Sequence, residues 1–162
     1  MSYTIREILE QELEECASVI RAGFLTVAEE FGITRENVPT NGAFIQKERL
    51  FEERAKGHIM YAAVQGSKII GYMQLEKSNP ELYFLQKLVV LPQYRHCGVG
   101  RALLDYAKEK VTEWEGNKIS IGIIEENTVL KNWYLSSGFE TTATRKFEHL
   151  PFTVGFMELS LA

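Results

Sequence analysis

Leu88-Val89-Val90-Leu91-Pro92-Gln93-Tyr94-Arg95-His96-Cys97-Gly98-Val99-Gly100-Arg101-Ala102-Leu103-Leu104 carries an apolar run into a proline-started turn, a loop with two glycines and the first turns of a helix. The apolar run, taken from Leu82 to Leu91, reads as a strand buried on both faces. A loop that opens a helix in this way is an anion site. The first helical N–H groups have no partner inside the helix, and the macrodipole adds partial positive charge there. Gly98 and Gly100 let the backbone approach a bulky ligand and tolerate positive φ. A pyrophosphate needs several backbone N–H donors in one concave turn, which residues 96–101 supply. Arg95 and Arg101 bring charge to the same turn. No Lys-Ser/Thr pair follows Gly100 and no third glycine follows three residues on, which disfavours a nucleotide triphosphatase or a dinucleotide dehydrogenase.

On the N-terminal side, residues 3–8 alternate as a short strand. Leu9, Leu13, Cys16, Ala17, Ile20, Phe24, Val27, Ala28 and Phe31 then recur at helical spacing up to Gly32. A second helix over about 43–56 has Phe44, Leu50 and Phe51 as its candidate buried positions. Residues 58–64 and 69–76 form a hairpin around Gln65-Gly66-Ser67-Lys68. On the C-terminal side, a helix over about 98–114 leads to a strand at 118–124. Asn127 caps a helix over 128–137, and residues 139–147 and 152–161 make a last hairpin. The order is β-αα-βββ-α-β-α-ββ, an α/β (α+β) domain spanning 1–162. It predicts a mixed, mostly antiparallel sheet of about six or seven strands with about four helices, containing one parallel pair joined by a right-handed crossover.

The chain has 162 residues, 45% of them hydrophobic and 25% charged, with a formal net charge of -4. One soluble domain with a substantial core fits that length. The acidic balance argues against a nucleic-acid surface. No apolar run is long enough to span a membrane, and the N-terminus has no apolar signal core, so a cytoplasmic protein is expected. Cys16 and Cys97 have no metal or redox spacing, and His58, His96 and His149 have no ligand spacing; no metal is expected.

The segment Arg95-x-x-Gly98-x-Gly100 resembles the acetyl-CoA motif of the GNAT superfamily of N-acetyltransferases. A second family element fits downstream: Asn127, Tyr134 and Gly138-Phe139 stand at the family's spacing, and the order of strands and helices matches. The likeness covers about residues 58–145. It implies a three-layer fold, acetyl-CoA as cosubstrate, and acetyl transfer to a small-molecule or peptide amine. It also implies cofactor contacts from Leu88, Val89, Val90, Arg95, His96, Cys97, Gly98, Val99, Gly100, Arg101, Asn127 and Tyr134. In that picture the backbone of Leu88–Val90 pairs with the pantetheine arm and polarises the thioester carbonyl. Family members are often dimers, which makes a homodimer through the end strands an expectation. The opposing reading is an acyl-CoA-binding or regulatory module without turnover.

By the same likeness, Tyr134 is the general acid for the departing thiolate; read alone, it is a core aromatic beside Leu130 and Leu135. The general base is not marked. The strand interior Phe84-Leu85-Gln86-Lys87-Leu88 holds no carboxylate, leaving Glu81 at its start and Glu76 at the end of the previous strand, with Glu125 and His149 further off. Acceptor specificity falls to residues 22–57 and the 147–152 loop.

Overall fold

The computed structural model describes residues 1–161. Strands β1 (Thr4–Glu7), β2 (Ile59–Gln65), β3 (Lys68–Lys77), β4 (Leu82–Val90), β5 (Lys118–Ile124), β6 (Glu140–Lys146) and β7 (Thr153–Ser160) form one sheet in the order β1-β2-β3-β4-β5-β7-β6. Helices α1 (Leu13–Glu30) and α2 (Lys47–Ala55) precede β2. Helix α3 (Val99–Glu113) links β4 to β5, and α4 (Thr128–Ser136) links β5 to β6. A helix between two neighbouring strands forces a crossover, so β4 and β5 are parallel; every other pair is antiparallel. Element order, sheet type and helix number all match the expectation.

Side-chain alternation divides the sheet between two cores. Met60, Ala62, Val64, Ile69, Tyr72 and Val89 face α1, through Cys16, Ala17 and Ile20, and α2 through Leu50. Ala63, Ile70, Leu75, Leu85, Ile119, Ile121 and Met157 face α3 and α4, meeting Leu103, Ala107, Val111 and Tyr134. Helix α1 lies close on β4 at Gly23, where a Cβ would stand 2.8 Å from Val89 Cβ; only glycine allows that approach.

Three details depart from the sequence reading. Leu9 is 50% exposed, because the chain is still extended there: Ile8 N–H donates to Met60 O and takes the buried place instead. Glu12 accepts from Leu9 N–H and from Arg6, which delays the α-helix to Leu13. Phe51 is 53% exposed, so α2 turns mainly Leu50 inward. Leu135 is exposed as well, leaving Tyr134 as the buried member of α4.

Candidate active site

The fold opens a slot where two parallel strands part. β4 pairs with β5 only at Leu82↔Lys118, Tyr83↔Ile119 and Phe84↔Ser120. Beyond Phe84, β5 continues beside β7 as far as Ile124, while β4 runs on beside β3 to Val90. The β5-facing edge of β4 is therefore without a strand partner from Leu85 onward. Leu91 N–H donates to Ile70 O across β3. Backbone direction alternates along a strand, so Val90 and Leu88 turn their N–H and C=O toward the slot and Val89 turns its own toward β3, where it pairs with Tyr72. Of the three residues expected at the pantetheine arm, Leu88 and Val90 face the slot. Val89 does not; its side chain is buried against α1.

The slot ends at the glycine turn. Pro92–Tyr94 makes one 3-10 turn, His96 sits at φ 61° and Gly98 at φ 85°, and α3 begins at Val99 without a side-chain cap. The opening N–H groups of α3 are thus left for a ligand. His96, Cys97 and Arg101 are exposed around the turn, with Val99 buried beneath it. A Cβ built on Gly100 would stand 3.8 Å from both Val90 and Trp133, which brings the turn, the free edge of β4 and α4 to one place. Arg101 lies over the Trp133 ring at 5.8 Å.

Arg95 is occupied elsewhere. Its guanidinium donates to Gly23 O (3.0 Å) and Thr26 Oγ1 (3.1 Å) on α1, and its Nε reaches Val90 O at 3.4 Å. It ties the turn to α1 instead of offering a free charge to phosphate.

Asn127 caps α4, its Oδ1 accepting from Leu130 N–H at 3.2 Å. Its carboxamide N–H groups make no hydrogen bond among the described residues. Tyr134 is buried between Trp133 and Phe139, both edge-to-face at 4.9 and 5.1 Å. No protein group among the described residues bonds its hydroxyl. Burial pushes the phenol above its ordinary pKa, so it stays protonated through the physiological range.

The two base candidates sit differently. Glu81 is exposed, and its carbonyl accepts from Asn117 and Lys118 N–H at the closed end of the β4–β5 pair. Seven residue steps of extended chain carry it to Leu88, about 23 Å away. Glu76 pairs with Phe84, and its carboxylate turns back to accept from Gln86 Nε2 (2.7 Å) and to meet His58 Nε2 (3.3 Å). Of the other two candidates, His149 is exposed on its loop. Glu125 pairs with Lys131 and leaves a buried Oε2 without a partner among the described residues.

That Glu76 contact belongs to a network the sequence did not disclose. Gln74 is fully buried on the α1/α2 face of β3, accepting from Tyr72 OH (2.8 Å) and donating to Glu53 Oε1 (3.0 Å). Its Nε2 also meets His58 Nδ1 at 2.8 Å. Both contacts use N–H groups of one amide, so His58 accepts at Nδ1 and carries its proton on Nε2, toward Glu76. Glu53 Oε1 takes the ammonium of Lys87 at 2.8 Å, and Glu53 Oε2 takes Arg49 at 3.2 Å. Burial alone would raise the Glu53 carboxyl; hydrogen bonds from Lys87 and Gln74 and the charges of Lys87 and Arg49 outweigh it and hold the pKa below the usual value. Burial lowers Lys87, with Glu53 opposing. The one available signal is polarity out of place: Gln74 between the apolar Met73 and Leu75, two residues after Tyr72, and Lys87 inside an apolar run.

An apolar cluster lies beside this network. Phe24, Phe31, Phe44, Ile124, Leu150 and Phe152 pack around Ala28, Ile33, Val38 and Ala43, joining the segment after α1 to the β6–β7 loop at the open end of the slot.

A mixed sheet with a parted parallel pair, opening on a helix N-terminus, defines a fold of the acetyltransferase class. Residues 23–139 match the model of the Acetyltransferase (GNAT) family, and the chain belongs to that family. An uncharacterized N-acetyltransferase of Lactobacillus delbrueckii subsp. lactis is 27% identical over 159 residues, 90% of this chain and 87% of the relative. Among solved structures, the ribosomal-protein-S18-alanine N-acetyltransferase of Escherichia coli superposes with a TM-score of 0.80 at 15% identity, covering 99% of this chain and 95% of that one. The PaiA N-acetyltransferase of Thermoplasma acidophilum, solved with coenzyme A, gives 0.79 at 21% identity and covers 99% of both chains.

Proposed function

We propose that the protein moves the acetyl group of acetyl-CoA to a primary amine, on a small molecule or a peptide, by direct attack in a ternary complex. The observation that carries this reading is the free edge of β4 between Leu88 and Val90, which runs from beside Tyr134 to the uncapped N-terminus of α3. An extended pantetheine arm fits that edge as an added strand. The glycine turn would take the pyrophosphate on backbone N–H groups, with Gly98 and Gly100 leaving it open, and the free amide of Asn127 would donate to the arm.

In the reaction the amine nitrogen bonds to the thioester carbon, the C–S bond breaks and sulfur leaves as thiolate. The Leu88 N–H stands where the carbonyl oxygen gains charge. Tyr134, held protonated by burial, donates to the sulfur, and the proton that the acylated nitrogen sheds passes through water to restore the phenol.

Neutralising a lysine-type amine of pKa about 10.4 at pH 7 costs about 4–5 kcal/mol, and an α-amine near 8 costs about 1–1.5 kcal/mol. Glu76 is the base candidate on the acceptor-side network; Glu81 stands at the wrong end of the strand. An α-amine would need neither. Turnover of acetyl-CoA across α-amines, lysine side chains and small polyamines tests the reading. Tight CoA binding with no thiol release for any amine would replace it with a binding module. Glu76→Gln then asks about the base: an unchanged rate with the best amine removes Glu76 from the mechanism.

A homodimer through β6 fits the same reading. This edge strand is exposed along its whole length, and antiparallel self-pairing about Ala143 would set Glu140 opposite Lys146 of a second copy. Light scattering of wild type beside Ala143→Pro checks it; a monomeric wild type rejects it.

A further inference from the structure

Lys87 is the least expected residue of the slot. It stands inside the apolar strand beside Leu88, its side chain is 7% exposed, and its backbone takes φ 54°. The left-handed region is unfavourable for any residue with a Cβ, and glycine is the usual occupant. The strand register shows what this conformation does. Tyr72 pairs with Val89 and Gln74 with Gln86, so Lys87 and Leu88 together oppose Met73 alone. This is a β-bulge, which re-aims the side chains and backbone groups beyond it. It lies within the free edge of β4, two residues beyond Leu85.

The bulge is fastened from the acceptor side. Lys87 Nζ donates to Glu53 on α2, whose second oxygen takes Arg49; Arg49 in turn donates to Thr40 O at 2.7 Å, in the segment that carries Phe44. Gln74, fixed by Tyr72 OH and by His58, holds the shared Glu53 oxygen in place. One unbroken chain of polar contacts thus joins the acyl edge of β4 to the acceptor loop.

We propose that Lys87 is a positioning residue for acetyl transfer: clamped by Glu53, its side chain fixes the β4 bulge and so aims the Leu88 N–H at the thioester carbonyl, while Arg49 registers the acceptor loop to the same point. The proposal rests on the transferase reading above. Lys87 itself touches neither thioester nor amine.

The test uses substitutions that separate backbone from side chain. Lys87→Gly still permits the left-handed backbone, since glycine is at ease at this φ, and removes the side chain that clamps it. Lys87→Met removes the ammonium and retains the length; Glu53→Gln leaves the lysine without its anion. With the amine that wild type acetylates fastest, Lys87→Gly is expected to lose at least about tenfold in kcat, with KM for acetyl-CoA within about threefold, because a misplacement near 1 Å carries that cost. Lys87→Arg, which can still reach Glu53, is expected to recover part of the loss.

A second readout needs no turnover. Wild type should bind a non-transferable ketone analogue of acetyl-CoA more tightly than CoA in calorimetry, and Lys87→Gly should lose about fivefold of that preference while its affinity for CoA stays put. A Lys87→Gly protein with wild-type kcat and an undiminished preference for the ketone overturns the proposal, as does an equal loss of affinity for both ligands, which marks a general packing defect. Should wild type release no thiol with any amine, the transferase reading falls, and the ketone preference alone decides for or against Lys87. Melting temperatures accompany each variant; if Lys87→Met does not fold, Lys87→Gly carries the test.

Discussion

The two halves of the cleft are built from different material. The half proposed for acetyl-CoA is backbone: the free edge at Leu88 and Val90, the left-handed His96 and Gly98, and the opening N–H groups of α3. The half proposed for the amine is side chains gathered from distant parts of the chain. Phe24 and Phe44 meet Leu150 and Phe152, and Glu53 meets Gln74 and Lys87. Backbone recognition depends on φ, ψ and the absence of obstructing side chains, so it suits a ligand that does not vary. Side-chain recognition changes residue by residue, so the same frame can meet different amines.

The sharpest way to test that division is the side chain proposed for the chemistry on the acetyl-CoA side. Tyr134→Phe keeps the packing against Trp133 and Phe139 and removes only the hydroxyl. We expect kcat to fall about 100-fold, the range of a lost general acid, with KM for acetyl-CoA little changed. Burial raises the phenol, so its protonated form persists to high pH. The wild-type rate should climb through the pKa of the acceptor amine and show no alkaline fall below about pH 10. A fall near pH 8 would take Tyr134 out of the acid role.

A smaller effect is expected at the turn. The nearest atoms to a Cβ on Gly100 are 3.8 Å away, an ordinary contact, so Gly100→Ala should fold with an unaltered melting temperature. Its KM for acetyl-CoA should nevertheless rise about tenfold, because the added methyl stands where the backbone must meet phosphate. An unchanged KM would move the pyrophosphate elsewhere. The matching experiment on the acceptor half is Phe152→Ala, for which KM of the amine should shift about fivefold while that of acetyl-CoA holds; the reverse pattern would dissolve the division into halves.

This division also explains what could be read from the sequence. Gly98, Gly100, Asn127 and Tyr134 lie in two local segments, and backbone chemistry leaves its mark as glycine spacing and capping residues. The element order followed from hydrophobic period, and the parallel pair followed from one intervening helix. The Glu53–Gln74–Lys87 network left no such mark, because it depends on the register of β3 against β4 and on where α2 lands, and both are set by tertiary packing. Arg95 shows the same limit from inside the motif. Its place in the turn suggested phosphate, yet Gly23 O and Thr26 on α1 take its guanidinium, and no local spacing announces a contact made with a residue 72 positions away. The exposure of Leu9 is hidden in the sequence for a related reason: the helical stripe starts at Leu9 in sequence, while the Glu12 carboxylate, held by Arg6 and Leu9 N–H, starts the α-helix at Leu13.

That Glu12 contact supplies the mildest test, since it lies outside both halves and should touch neither KM. Arg6 grips the Glu12 carboxylate through two bonds of 2.9 and 2.8 Å, and with Leu9 N–H it outweighs the cost of burial, holding the pKa at about 2 against an ordinary 4.5. A pKa lowered by folding gives stability that is present in full above pH 4.5 and drains away as pH falls toward 2. Arg6 is 40% exposed and water screens the pair, so Glu12→Gln should cost only about 1 kcal/mol at pH 7. Urea unfolding of the two proteins at pH 7, 4 and 3 should show that gap narrowing as the wild-type carboxylate takes up its proton. A gap that stayed constant with pH would mean that the carboxamide fails through packing, and that the charge of Glu12 does not set the start of α1.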